Sequence, residues 1–154
     1  MNSKVREGEK APDFSLQSQD GRTVSLHDFL GKKNVVVYFY PKDFTIGCTA
    51  EAKKFSEDYD ELLGLKAEVV GISSDSEESH GSFASYCEVK FPLLSDRGGK
   101  VREMYGVRAS LGLVPGRVTF VIDKEGVVRK VFSSQINATK HVAEAIDALK
   151  TMPA

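Results

Sequence analysis

The fold is decided by the stretch Val35-Val36-Val37-Tyr38-Phe39-Tyr40-Pro41-Lys42-Asp43-Phe44-Thr45-Ile46-Gly47-Cys48-Thr49. Its opening run is β-branched and aromatic without alternation, which is typical of a strand buried on both faces. Pro41 ends that strand because proline has no N–H for the hydrogen-bond ladder. From about Thr45 the apolar residues recur at helical spacing, and one stripe is formed by Ala52, Phe55, Tyr59, Leu62 and Leu63. The stretch therefore predicts a strand, a short loop and a helix, with Cys48 in the helix's first turn.

The position of Cys48 has chemical consequences. The first N–H groups of a helix have no partner within the helix, and the helix dipole adds partial positive charge there. Both effects favour the thiolate, so that a cysteine at this position is reactive. The alternative is a buried, inert cysteine in a core helix. Gly47 and Thr49, the small and polar neighbours of Cys48, favour the reactive interpretation.

The segments around this unit complete an α/β pattern. A second apolar strand, Glu68 to Ser73, follows the predicted helix Thr45 to Leu63, which Gly64 is expected to cap, and such a βαβ unit is right-handed and parallel. The other predicted elements are an N-terminal hairpin around Asp20-Gly21, helices near 76–88, 100–105 and 139–150, a loop from Ala109 to Gly116, and a hairpin of Arg117 to Ile122 with Val127 to Phe132. We expect one domain over residues 1–154. Its expected architecture is a thioredoxin-like fold, with a mixed central sheet, helices on both faces and an N-terminal β-hairpin.

Composition limits the classes of function. The chain has 154 residues, 41% hydrophobic and 28% charged, as in soluble globular proteins. A net charge of −1 gives no electrostatic reason to bind nucleic acid or an anionic membrane, and no stretch approaches the ~20 apolar residues of a membrane span. The N-terminal residues lack the apolar core of a signal peptide, and two cysteines suit a reducing compartment. We therefore expect a cytoplasmic protein without a nucleic-acid or membrane partner.

Several segments match a known family. Pro41-x-x-x-Thr45-x-x-Cys48 resembles the active-site motif of the peroxiredoxins, thiol enzymes that reduce hydroperoxides. Longer segments resemble one subfamily, the Q-type peroxiredoxins, also called bacterioferritin comigratory protein. These segments are Tyr38 to Glu51, Ala11 to Phe14, Phe91 to Asp96 and Arg117 to Asp123. These segments extend the resemblance from about Gly8 to Lys150.

The resemblance implies a role for each residue of a site that uses no metal, haem or flavin. Cys48 would attack the hydroperoxide, Thr45 would donate its hydroxyl to sulfur or substrate, and Pro41 would exclude water. Arg117 would face Cys48, favour the thiolate and bind peroxide, while Glu51 would orient Arg117. Each residue also has an ordinary interpretation: a helix N-cap for Thr45, a strand end for Pro41, a strand-edge cation for Arg117 and a solvated acid for Glu51. The scattered histidines, His27, His80 and His141, offer no metal-ligand spacing with the cysteines.

The second cysteine departs from the family pattern. Many Q-type members carry a resolving cysteine five residues after the first, where this chain has Lys53. The other cysteine is Cys87, in the helix near 76–88 where some relatives place their resolver. Those relatives place it nearer to Ala84, and Cys87 lies three residues further, about one turn along the same helix face. The resemblance thus implies that Cys87 forms an intramolecular disulfide with Cys48, which thioredoxin or a similar dithiol reduces. The alternative is a one-cysteine mechanism with an external thiol. We expect a monomer, with a dimer as the alternative.

Two other functions compete with a peroxidase. A thiol–disulfide oxidoreductase on the same fold normally uses Cys-x-x-Cys, whereas this chain has Cys48-Thr49-Ala50-Glu51. A non-enzymatic binding module that has kept only the fold is the second alternative. Peroxide-dependent loss of the Cys48 thiol distinguishes an enzyme from such a module.

Overall fold

The computed structural model describes residues 5–107 and 116–152. They form a mixed seven-stranded sheet of order β2-β1-β5-β4-β3-β6-β7. The strands are β1 (Ser15–Ser18), β2 (Thr23–Ser25), β3 (Asn34–Phe39), β4 (Ala67–Ser73), β5 (Leu93–Ser95), β6 (Val118–Ile122) and β7 (Val128–Ser133). The helices are α1 (Ile46–Glu57), α2 (Tyr59–Gly64), α3 (Glu77–Cys87), α4 (Lys100–Met104) and α5 (Lys140–Lys150), with 3-10 turns at Leu26–Asp28 and Arg97–Gly99. The loop expected from Ala109 to Gly116 lies outside the described residues, apart from Gly116.

Strand β3 is at the centre of the fold, and all of its residues are buried. It pairs in parallel with β4 and antiparallel with β6. Because successive side chains of a strand point to opposite faces, β3 contributes to two core layers. Val36 and Tyr38 pack with α1, α3 and α5, whereas Val35, Val37 and Phe39 pack with the N-terminal hairpin and α4. The predicted mixed sheet with helices on both faces and an N-terminal hairpin is confirmed.

Two local predictions differ from the structure. The helix expected from Thr45 to Leu63 breaks at Asp58, whose backbone leaves the helical region, so that α1 and α2 are separate. The break places the Tyr59 hydroxyl 2.7 Å from Glu68 Oε1 of β4. The cap of α2 is Leu65 instead of Gly64, and Lys66 turns the chain into β4 with a φ of +60°.

The short strand β5 was not expected as a strand. It follows Pro92 and has three residues, too few for a pattern, yet it pairs in parallel with β4 and antiparallel with β1.

Among the described residues, no helix combines the length and the hydrophobicity that crossing a bilayer requires.

The topology brings the candidate residues to one edge of the sheet. Strand β3 ends at Phe39, and its antiparallel neighbour β6 begins at Val118, which is paired with Phe39. The loop after β3 and the residue before β6 therefore lie side by side. Pro41 begins that loop, Cys48 follows it in the first turn of α1, and Arg117 is the residue before β6.

Candidate active site

Cys48 lies in the first turn of α1, as the sequence predicts. Thr45 is the residue before the helix, in an extended conformation, and α1 begins at Ile46. The Cys48 side chain is buried, with 1% of its surface exposed, and it is not in a disulfide. The sulfur thus combines the positive end of a helix with near-complete exclusion of water.

Arg117 supplies a cation next to this sulfur. Its Nη2 is 3.4 Å from Cys48 Sγ, and its Nη1 donates to Glu51 Oε1 at 2.6 Å. Its Nε donates to the Gln135 carbonyl. Burial lowers the pKa of Arg117, but its electrostatic interactions and hydrogen bonds with Glu51 and Cys48 outweigh burial and hold the pKa above its ordinary value. The guanidinium is therefore charged and directed at the sulfur.

Gly47 makes the close approach of Arg117 possible. A Cβ at this position would lie 2.9 Å from Arg117 Nη2, closer than real Cβ contacts. Since Gly47 is in the helix and its φ is not positive, the requirement for glycine here comes from space and not from backbone conformation.

Glu51 lies one turn after Cys48 and is completely buried. Its Oε2 has no hydrogen-bond partner among the described residues and is 3.8 Å from His141 Nδ1. Burial raises the pKa of Glu51 to about 8, although the charge and hydrogen bond of Arg117 oppose the shift. Glu51 is therefore not the solvated surface acid of the ordinary interpretation.

His141, from the first turn of α5, forms the wall behind Glu51. Its Nε2 donates to the Ser134 carbonyl at 2.8 Å, which leaves Nδ1 to accept a hydrogen bond from the Thr119 hydroxyl at 2.8 Å. Burial lowers the pKa of His141 to about 4, and the charge of Arg117 acts in the same direction. A neutral imidazole thus adds no second cation beside Arg117.

Thr45 and Pro41 lie in the loop between β3 and α1. Thr45 is exposed, and its hydroxyl donates to the Lys42 carbonyl at 2.9 Å. It makes no N-cap hydrogen bond and does not donate to Sγ. Since its proton is already engaged, its oxygen can accept a hydrogen bond from a bound molecule. Pro41 is half-buried at the start of the same loop.

Asp43 connects this loop to α3, and the sequence analysis missed it. Its Oδ1 accepts from the Tyr40 hydroxyl at 2.7 Å, and its Oδ2 accepts from Ser79 Oγ at 2.8 Å and lies 2.8 Å from His80 Nδ1. His80 Nε2 contacts the Leu94 carbonyl at 3.0 Å. Asp43 and His80 are both buried, so this network is shielded from water. An acid two residues after a strand-ending proline was the available signal for Asp43.

The same network has the composition of a metal site. Single ligand atoms of Asp43, Asp75 and His80 lie within 4.8 Å of one another. Each of these atoms already has a partner: Asp75 Oδ2, for example, accepts from Ser73 Oγ and from the Asp43 amide. The hydrogen bonds account for the grouping, and we interpret it as a support for the loop.

Cys87 is the last residue of α3 and is also buried and free. It packs in the same core layer as Cys48. Burial raises the pKa of the Cys87 thiol, and the charge of Lys53 opposes that shift. The rings of Phe83 and Tyr86 on α3 contact Phe44 of the active-site loop, with centroids 5.1 and 5.8 Å apart.

A buried cysteine at a helix N-terminus, contacted by an arginine at the edge of a mixed α/β sheet, defines a thiol enzyme of the thioredoxin-like class. Residues 7–131 match the model of the AhpC/TSA family. The chain belongs to this family and is a thiol peroxidase.

Relatives and solved structures agree with this assignment. The chain is 48% identical to "Peroxiredoxin Q, chloroplastic" of Sedum lineare, over 97% of this chain and 81% of the relative. The Arabidopsis thaliana protein of that name is 46% identical, over 96% and 68%. Among structures, Peroxidoxin BcpB of Mycobacterium tuberculosis superposes with a TM-score of 0.90 at 35% identity, covering 97% of this chain and 99% of that one. Peroxiredoxin Q of Xanthomonas campestris superposes with a TM-score of 0.82 at 29% identity, covering 89% of each. The Q-type resemblance and the thioredoxin-like fold are thus confirmed.

The expected cytoplasmic location is wrong. Several relatives between 45% and 48% identical are named chloroplastic, which points to a plastid. The expectation rested on a low cysteine count and on the N-terminal residues. A low cysteine count indicates only that the compartment is reducing, and the cytosol is not the only reducing compartment.

Proposed function

We propose that Cys48 is the nucleophile that reduces hydroperoxides in this thiol peroxidase. The thiolate sulfur attacks the terminal peroxide oxygen, an S–O bond forms and the O–O bond breaks. The O–O electron pair leaves with hydroxide or alkoxide, which takes up a proton, and Cys48 is left as a sulfenic acid. The observation that carries this proposal is the 3.4 Å contact between Arg117 Nη2 and Cys48 Sγ.

The surrounding groups fit the charge that develops in this reaction. Negative charge moves from sulfur to the departing oxygen, so a fixed cation that contacts both stabilises the transition state. Arg117 is held for this role by Glu51 at 2.6 Å. Thr45 orients the peroxide by accepting a hydrogen bond from its hydroxyl group, and Pro41 limits the access of water. In this proposal Glu51 and Pro41 are positioning residues, while Thr45 and Arg117 contact the substrate.

Cys87 then resolves the sulfenic acid. Its thiolate attacks the Cys48 sulfur, a disulfide forms within the chain and hydroxide leaves as water. A dithiol of the thioredoxin type reduces this disulfide by exchange. The raised pKa of Cys87 supports this division of labour, because a protonated thiol does not compete for peroxide.

Helix α3 must loosen before the two sulfurs can meet. A disulfide needs Cα atoms about 4.4–6.8 Å apart, and Cys48 and Cys87 lie near opposite ends of different helices. The composition of α3 favours opening, because it contains Gly81 and three serines and is followed by the cap residue Glu88, whose φ is +56°.

Variants of the two cysteines test the proposal. Cys48→Ser should abolish peroxide reduction with the fold intact. Cys87→Ser should keep the first oxidation, stop multiple turnover with a dithiol and drive Cys48 on to the sulfinic acid in excess peroxide. Peptide mass mapping of the oxidised wild type under non-reducing conditions should show a Cys48–Cys87 cross-link in monomeric protein.

Other outcomes would contradict separate parts of the scheme. Substantial activity in Cys48→Ser would transfer the role of nucleophile to Cys87. Oxidised Cys48 together with free Cys87 would leave a one-cysteine enzyme that depends on an external thiol. A disulfide-linked dimer would retain the chemistry but place resolution between two chains.

A further inference from the structure

Arg102 is a second buried arginine at the edge of the sheet that carries the site. It lies in α4, and 9% of it is exposed. Its Nη2 donates to the Tyr40 carbonyl at 2.8 Å, and its Nη1 donates to the Gly116 carbonyl at 2.9 Å. These two carbonyls belong to the residues directly before Pro41 and Arg117. One guanidinium thus joins the two segments that hold the proposed substrate-binding groups.

The β-ladder does not make this connection. The last residue pair between β3 and β6 is Phe39 with Val118, and Tyr40 and Gly116 both lie beyond it. Past this pair, Pro41 begins the active-site loop on one side, and Arg117 directly precedes β6 on the other. A planar guanidinium donates to two acceptors in a fixed geometry, which an ammonium group cannot reproduce. Arg102 therefore links the two segments beyond the point where the backbone pairing of β3 and β6 ends.

Arg102 is itself held in place. The Asp96 carboxylate accepts hydrogen bonds from the backbone amides of Val101, at 3.0 Å, and Arg102, at 2.8 Å. The guanidinium also lies over the Phe39 ring, 5.7 Å from its centroid. The side chain is thus held against Phe39 of β3, and the backbone of α4 is held by Asp96.

Arg102 and Arg117 have different surroundings. The Arg102 guanidinium lies over Phe39, in the core layer on the sheet face opposite to α1, whereas Arg117 contacts the sulfur directly. Burial lowers the pKa of Arg102, while the charge of Asp96 opposes this shift.

We propose that Arg102 is a positioning residue of the peroxidase reaction. It fixes the distance between the two backbone positions that directly precede Pro41 and Arg117. Removing Arg102 therefore slows peroxide attack without removing any group that contacts the peroxide.

Two substitutions test the bridge between the two carbonyls. Arg102→Met removes the bridge and the charge, and we expect the second-order rate constant for peroxide to fall by about 10- to 100-fold, up to the effect of losing one transition-state donor. Arg102→Lys retains the charge but not the two-carbonyl bridge, so its rate constant should also be reduced.

Tyr105→Phe is the matched control from the same side of the sheet. It removes the 2.6 Å hydrogen bond from the Tyr105 hydroxyl to the Pro12 carbonyl and leaves the Tyr40 and Gly116 carbonyls untouched. We expect it to lower the free energy of unfolding by about 1 kcal/mol and to leave the rate constant for peroxide unchanged.

The proposal is overturned if folded Arg102→Met keeps the rate constant of the wild type for peroxide. It is also overturned if Tyr105→Phe, at equal loss of stability, slows the reaction to the same extent, because the effect of Arg102 is then only structural. If Arg102→Met does not fold, Arg102→Lys decides: a wild-type rate constant in that variant excludes a role for the bridge.

Discussion

Gly47→Ala is the smallest change that tests the contact between Arg117 and Cys48. The new Cβ would lie 2.9 Å from Nη2, and ordinary contacts of this kind begin at 3.4 Å. The guanidinium must therefore retreat by about 0.5 Å, the difference between these two distances. It has little freedom to do so in place, because Nη1 is already 2.6 Å from Glu51 Oε1. The retreat lengthens the 3.4 Å contact with Sγ instead.

The expected effect on catalysis follows from this displacement. Removing one transition-state donor lowers rates by about 100- to 1,000-fold. A donor that is shifted but still charged loses part of that effect, so we expect the rate constant for peroxide attack to fall by about tenfold. The free energy of unfolding should rise or remain constant, because alanine in a helix is more favourable than glycine by about 0.5–1 kcal/mol.

Stopped-flow measurement of peroxide consumption, together with denaturant unfolding, separates these two effects. Gly64→Ala is the matched control, because its Cβ would meet nothing within 4 Å and its backbone is helical. The control should gain stability with unchanged kinetics. A wild-type rate constant in Gly47→Ala would refute the claim that the observed guanidinium position assists the reaction.

Three further substitutions test other parts of the structure. Because burial raises the pKa of Glu51 from 4.5 to about 8, the folded protein holds this proton more tightly than the unfolded chain. Its contribution to stability is therefore complete below pH 4.5 and is lost as the pH rises towards 8. Glu51→Gln should flatten this decline in denaturant titrations, and an unchanged slope would contradict the raised pKa. Gly81→Ala, with nothing within 4 Å of its Cβ, should stabilise α3 by about 1 kcal/mol. It should slow disulfide formation by about fivefold without changing peroxide attack; an unaltered rate of disulfide formation would show that α3 does not open first. Tyr38→Phe removes a buried hydroxyl that has no partner among the described residues and should raise the free energy of unfolding by about 1 kcal/mol. A loss of stability would mean that this hydroxyl is satisfied.

Much of the fold could be predicted because its signals are local. The apolar run that became β3 and the hairpin of β6 and β7 each carry their own pattern, and the predicted ends differ from the observed ones by one residue or so. The break at Asp58 could not be predicted, since it depends on a contact between Tyr59 and Glu68 that exists only after α2 and β4 have packed. Three residues of β5 are likewise a strand only because β4 and β1 lie on either side of them.

The candidate site shows the same limit more sharply. Cys48 and Arg117 were found through a motif and a family resemblance, which also named Glu51 but left its burial open. Asp43, His80 and Arg102 were not found, because their partners are 14 to 62 residues away in the chain or are backbone carbonyls. A buried polar residue looks like a surface residue in a sequence until the fold gives it partners.

The two proposed steps make opposite demands on one loop. Peroxide attack needs the segment from Pro41 to Thr45 held still, and Asp43 holds it through Ser79 and His80 of α3. Resolution needs α3 to loosen so that Cys87 can move, and the hydrogen bonds of Asp43 then break. Phe44, held at a φ of +67° against the rings of α3, loses its support in the same event. The hydrogen bonds from Asp43 to α3 that hold the loop for peroxide attack must therefore break before Cys87 can react. The stability of α3 thus determines the lifetime of the Cys48 sulfenic acid.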